Sequence, residues 1–224
     1  MILAGDEYPE AEIIGIDLSP IQPTWIPPNV RFQVDDAESE WVFQSNSFDF
    51  VHIRHMGSAI KNWPRLISQA YKSLRPGGWI ELQDIRFRPQ CDDGTMPEGD
   101  DYGFARFVSH INEAFSRFDV NLGAVEEYGE LVTEGGFTHI QEMIWKVPIG
   151  AWPRDPKLKT VGLYNLSTIA GALPSVSIAA STRAMDWTAI EVDAFLVDVR
   201  RSLMNPNIHS YYTFHSVFGQ KSMA

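Results

Sequence analysis

Several charged residues stand where an apolar run gives way to a loop, the position from which a side chain reaches a ligand at the carboxyl end of a strand. Asp17 closes the run Ile13-Ile14-Gly15-Ile16. A carboxylate there can accept both hydroxyls of a ribose; it can equally form a turn ahead of Pro20. Asp36-Ala37 follows the alternating stretch Val30 to Val34. A carboxylate beside a small residue can bond an adenine amino group while the backbone nears the ring. Asp35, Asp36, Glu38 and Glu40 also read as a solvated acidic loop. Arg54 and His55 end the stretch Phe48 to Ile53, where either can face a ligand or serve as a hydrogen-bonded loop residue. His52 and His55 point to opposite faces of an extended segment, so no shared metal is expected. Asp84 closes Trp79 to Asp84.

These residues need strands to carry them. Ile13–Ile16 has the unbroken apolar character of a buried parallel strand. Pro20, Pro23, Pro27 and Pro28 forbid regular structure through 20–29. Val30, Phe32 and Val34 predict a second strand, and 48–53 a third. Asn62 caps a helix with Pro64 in its first turn. Leu66, Ile67, Ala70, Tyr71 and Leu74 recur at helical spacing, and Pro76-Gly77-Gly78 stops that helix. Residues 79–84 form a fourth strand, and 85–100 is expected to be irregular. Helices are expected over 102–118, 124–134, 156–170 and 188–204, with strands at 137–147 and 211–218. Strand–helix alternation of this kind implies an α/β layered fold with a mostly parallel sheet.

The 224 residues hold 18 Lys plus Arg against 29 Asp plus Glu, a net charge of −11, so phosphate-backbone binding is not expected to be the main activity. Apolar residues at 44% suffice for a core. The single cysteine, Cys91, excludes an internal disulfide and any multi-cysteine metal site, and it fits a reducing compartment. The start MILAGDEYPE lacks signal-peptide character. The mildest stretch, 161–180, is broken by polar residues, Gly171 and Pro174, so no membrane span is expected. Asp92, Asp93, Glu98, Asp100 and Asp101 lack calcium-loop spacing. Asp100 and Asp101 are expected to favour the start of the next helix through its dipole. No nucleophile-elbow motif, phosphate-binding lysine loop or Cys–His pair with an obvious site is seen in the sequence.

Taken together, the strand ending at Asp17, the strand ending at Asp36-Ala37, FDFVHIRHM and LRPGGWIELQD resemble a class I S-adenosylmethionine-dependent methyltransferase. DEYPEAEIIGIDLSPIQPTWIPPNVRFQVDDAE, YKSLRPGGWIELQD, Gly150–Trp152 and NPNIHSYYTFHSVFGQK are similar to the fungal LaeA-like group, over essentially the whole chain. The resemblance implies a single Rossmann-like three-layer domain over 1–224, with helical substrate covers at 85–135 and 153–205 and an antiparallel closing strand. It implies S-adenosylmethionine as cofactor. Asp17 would hold the ribose with Leu18 packing nearby, Asp36 and Ala37 the adenine, and Arg54 and His55 the methionine end and methyl path, with His55 as candidate base. Trp152, Tyr164 and Phe104 read either as an apolar pocket wall or as core. The acceptor would be a small molecule of secondary metabolism. The alternative is a non-catalytic regulator acting through a protein partner; the expected location is the cytoplasm, with the nucleus as the other option, and the lack of a lysine-rich nuclear signal counts mildly against the regulator. A nicotinamide-dependent oxidoreductase would also use Asp17, but LRPGGW and the closing strand count against it.

The glycine loop of such a unit precedes its ribose acid by about 20 residues. Counting back from Asp17 passes Met1, so the central first strand and the loop are expected to be missing. Either the flanking strands close up, or another chain fills the gap, or the sequence is an incomplete form of a longer protein, which is the reading favoured. Weak or no cofactor binding is expected.

Overall fold

The computed structural model describes residues 1–223 apart from the side chain of Asp100, so that residue's share in starting a helix lies outside the described residues. The chain order is α1 (Ile2–Glu7), β1 (Ile13–Asp17), β2 (Val30–Val34), β3 (Phe48–Arg54), α2 (Trp63–Ser73), β4 (Leu74–Gln90), α3 (Gly103–Ser116), α4 (Tyr128–Glu134), β5 (Thr138–Pro148), α5 (Pro156–Ala184), α6 (Ala189–Leu203) and β6 (Tyr211–Gln220). A short 3-10 turn precedes each of α3 and α4.

β1 and β2 pair in parallel as a two-stranded sheet. The second sheet has the order β3-β4-β6-β5. In it β3 and β4 run parallel, and β6 runs antiparallel to both β4 and β5. Three strands therefore share one direction and the closing strand alone opposes them, the expected α/β layout. The strands ending at Asp17 and Arg54 do not close up: among the described residues nothing pairs β1 with β3.

α2 begins where the sequence places it, with the Asn62 side chain accepting the Arg65 N–H at 3.0 Å and Pro in the first turn. Its apolar stripe, Leu66, Ile67 and Ala70, meets Ile53, Ile80, Leu82 and Val217 of the sheet and Tyr128 and Val132 of α4. A second core joins α3, α5 and α6 around Phe104, Phe107, Ile111, Leu173, Leu196 and Tyr212. Burial of side chains this size stabilises by about 1.5–3 kcal/mol each.

Two expectations are corrected. Residues 85–90 are not irregular: β4 continues to Gln90 because β6 supplies a partner, with Ile85 opposite Phe214 and Arg86 opposite Thr213. Nor does the helix after Pro156 end near 170. α5 runs to Ala184 through Gly171 and Pro174, because Ile169, Leu173, Ser177 and Ala180 keep one buried face at helical spacing across the proline. The lost Pro174 N–H is the cost of that continuity. α5 is thereby long and apolar enough to cross a bilayer by length and composition. Here it packs on α3, α6 and β5.

His110 of α3 ties this helical layer together. Its Nε2 is 2.8 Å from Ser181 Oγ, and its ring lies 4.3 Å from that of Trp187 and 5.5 Å from that of Phe195. Burial holds its pKa below 6.5, against the pull of Glu113. A depressed folded pKa means the stabilisation is present above 6.5 and is lost as pH falls through the folded value. Thermal unfolding at stepped pH checks this: below pH 6.5 the native midpoint falls more steeply than that of His110→Gln.

Candidate functional site

Parallel pairing brings the first two candidates together. Asp17 stands opposite Val34, and the Asp35 N–H donates to the Asp17 carbonyl at 3.0 Å, so the carboxyl ends of β1 and β2 form one rim. Asp17 Oδ1 accepts the Ser19 N–H at 2.9 Å. No protein donor is recorded for the other oxygen among the described residues. That arrangement leaves a fixed carboxylate able to accept vicinal hydroxyls, which fits a ribose. Asp36 is more occupied: its oxygens accept from the Glu38 N–H at 2.9 Å and the Ser39 hydroxyl at 3.1 Å, so it also shapes its own turn. Each oxygen keeps a second lone pair for an amino donor. Ala37 is half-buried, and its carbonyl accepts the Trp41 indole N–H at 2.9 Å. Leu18, next to Asp17, is largely exposed.

The second corner comes from β3 and β4. Arg54 ends β3, exposed, in register with Gln83. His55 follows in a left-handed conformation, φ +53°, its N–H bonded to the Gln83 carbonyl at 2.9 Å. The imidazole is about half exposed, with Nδ1 3.7 Å from Asp84 Oδ1 and its ring edge against Phe214. His52, as expected, belongs elsewhere: its Nδ1 is 3.0 Å from Glu81 Oε2. Glu81 is pushed up by burial, but bonds from Ser216 and Gln83 and the nearby His52 hold it below the usual carboxylate range.

Glu38 joins the two corners. Its Oε1 accepts the Lys61 and Asn62 N–H groups at 3.0 and 2.7 Å, pinning the loop after β2 to the start of α2. Asp17, Asp36-Ala37, Arg54 and His55 therefore lie at or just past the carboxyl ends of β1, β2 and β3, and Asp84 lies within β4 one residue past its parallel ladder with β3, the two corners belonging to different sheets. A shallow groove of about 420 Å³ lies apart from them, lined by Asp49, Phe50, Trp79, Glu81 and Phe218. It is wide open, and none of the strand-end candidates lines it.

The remaining candidates separate. Phe104 is core, whereas Tyr164 is largely exposed. Trp152 stacks on His209 and donates its indole N–H to the Ser210 carbonyl at 3.0 Å. Asp92 pairs with Lys146 and accepts the Tyr211 hydroxyl at 2.6 Å. Asp93 takes His209, Cys91 and Thr95, which hold it far below the usual carboxylate range. The 92–93 part of the acidic run thus forms surface pairs and a turn. No cluster of His, Cys, Asp and Glu suited to a metal ion is found among the described residues. Sequence reasoning missed Gly57 and Tyr128, which reach Asp84 from a loop and from α4; a separation of 44 positions leaves no spacing signal for Tyr128.

Comparison with known proteins identifies the family and the fold. A methyltransferase-domain family matches residues 2–122. The methyltransferase pytC of Aspergillus terreus is 38% identical over 218 residues, covering 97% of this chain and 66% of the relative. The secondary metabolism regulator LAE1 of Cochliobolus heterostrophus is 37% identical, covering 94% of this chain and 69% of the relative. The chain thus spans about two thirds of the length of these relatives. Phosphoethanolamine N-methyltransferase 2 of Haemonchus contortus, solved with S-adenosylhomocysteine, shares the fold, with a TM-score of 0.52 at 20% identity over 98% of this chain and 46% of that one.

Proposed function

The chain belongs to the methyltransferase-domain family, and from that membership we propose that it serves S-adenosylmethionine-dependent methylation of a small-molecule intermediate of fungal secondary metabolism. The observation that carries the reading is the pairing of β1 with β2, which sets a ribose-type carboxylate, Asp17, beside Asp36-Ala37 on one rim. Asp17 would hold the ribose, Asp36 and Ala37 the adenine, and Arg54 the methionine carboxylate. Bound there, S-adenosylmethionine would supply an electrophilic methyl carbon with a neutral thioether as leaving group. The acceptor's nucleophilic atom must then shed a proton. His55, half exposed at the carboxyl end of β3, takes that proton and passes it to solvent. Among the described residues β1 and β3 do not pair, so a bound cofactor would be held chiefly from the β1–β2 rim, and weak affinity is expected.

The similarity to LAE1 favours one alternative, a regulator that acts through a protein partner without methylating a small molecule. Incubation with methyl-labelled cofactor and an organic extract of a fungal culture separates the two. The expected result is label in an extractable small molecule, falling about 100-fold in His55→Gln. Label confined to protein, or none, overturns the proposal.

A further inference from the structure

We propose that Asp84 is the positioning residue of His55, holding the imidazole with Nδ1–H toward the carboxylate and the basic Nε2 toward the acceptor, and that Tyr128 and Gly57 lock Asp84 for this task. The proposal rests on the methyltransferase reading for the use of the base, and on geometry for the pair.

Asp84 lies on the inward face of β4, in line with Ile80 and Leu82, and is buried. Its Oδ2 accepts the Gly57 N–H at 2.7 Å and the Tyr128 hydroxyl at 3.2 Å. Its Oδ1 accepts the Ile85 N–H at 2.8 Å and faces His55 Nδ1 at 3.7 Å. Donors from the loop after β3, from β4 itself and from α4 thus fix the carboxylate, and one direction remains, toward the imidazole. Gly57 permits the approach: a Cβ there would lie 3.0 Å from Asp84 Oδ2. Tyr128 is buried against Trp63, ring centroids 4.7 Å apart. Burial, followed by the charge of Asp84, drives its phenol far above the usual range, so it remains a proton donor to Oδ2.

The left-handed backbone at His55 aims the ring. A non-glycine residue at φ +53° is an uncommon conformation, held here by the bond from its N–H to Gln83. Free histidine prefers the proton on Nε2, which would present a donor to an acceptor hydroxyl or amine. A carboxylate facing Nδ1 reverses that preference and leaves Nε2 as a base. The 3.7 Å separation is an ion-pair distance rather than a hydrogen bond, and catalytic contacts of this type shorten when ligand binds.

Long-range nitrogen-edited NMR of the whole chain tests this without the acceptor, with His55 assigned from a His55→Gln spectrum. The native spectrum is expected to show Nδ1–H, and Asp84→Asn to move the proton to Nε2. Acylation of His55 by diethyl pyrocarbonate, read by peptide mass spectrometry, is expected to slow by about tenfold in the same variant. Should Asp84→Asn fail to fold, Tyr128→Phe keeps the carboxylate and is expected to show a mixture of tautomers. A purely structural Asp84 predicts lower thermal stability with an unchanged tautomer and acylation rate, and that result, in either folded variant, overturns the proposal. Calorimetry with S-adenosylmethionine runs beside it. Binding that is unchanged in Asp17→Ala removes the methyltransferase reading of the site, whereas an unmoved tautomer removes this one.

Discussion

Asp17→Ala is expected to lower the affinity for S-adenosylhomocysteine about 100-fold. The carboxylate sits at the end of β1 with one oxygen on the Ser19 N–H, leaving the other for the sugar. Hydrogen bonds to a charged group contribute about 1.5–3 kcal/mol each, and each 1.4 kcal/mol is roughly a factor of ten in affinity. Two such bonds exceed two decades at the lower bound before any compensation by water. The backbone around Asp17 is held by the β1–β2 ladder and by the Asp35 N–H, none of which uses the side chain. The substitution should therefore leave the unfolding midpoint nearly in place while binding falls. Titration calorimetry and thermal melts of the same samples check both halves. Retained affinity would move the ribose elsewhere.

Gly162→Ala is expected to destabilise the fold by about 3 kcal/mol, a drop in unfolding midpoint of roughly 6–12 °C for a chain of this size. In α5, Gly162 crosses the turn after β5 so closely that a Cβ would fall 2.0 Å from the Gly150 carbonyl oxygen and 3.2 Å from Pro148 Cβ. The nearest obstacles are backbone, which cannot swing aside as a flexible side chain can. Separation of the two segments also breaks the bond from the Gly150 N–H to the Gly162 carbonyl at 3.0 Å and the one from Asn165 Nδ2 to the Pro148 carbonyl at 2.8 Å. Circular dichroism melts measure the shift; a midpoint within about 2 °C of native would mean the crossing yields without loss.

Much of this was legible in the residue pattern because local chemistry decides it. Apolar runs ending in Asp17 and near Asp36, the Asn62 cap and the glycine stop after α2 place β1, β2, β3 and α2 to within a residue or two. The failures lie where a distant partner overrides a local signal. Polar residues 85–90 read as loop, yet β6, more than a hundred positions away, completes their ladder. Gly171 and Pro174 read as a break, yet the buried face of α5 runs past them. The site divides in the same way. The carboxylates at strand ends were visible because strand ends are visible. The contact of Tyr128 with Asp84, and the solvent-facing placement of Leu18, depend on tertiary packing. His55 could be named as a residue near the methyl path, but the carboxylate that faces it is set by the β3–β4 register, which a single sequence does not display.

S-adenosylmethionine titrated calorimetrically into this chain and into Asp17→Ala tests the assignment most directly. The expected result is weak binding to the native chain, with a dissociation constant above about 100 µM, that disappears in Asp17→Ala. Binding of equal strength in the native chain and in Asp17→Ala would contradict a cofactor seated at the carboxyl ends of β1 and β2.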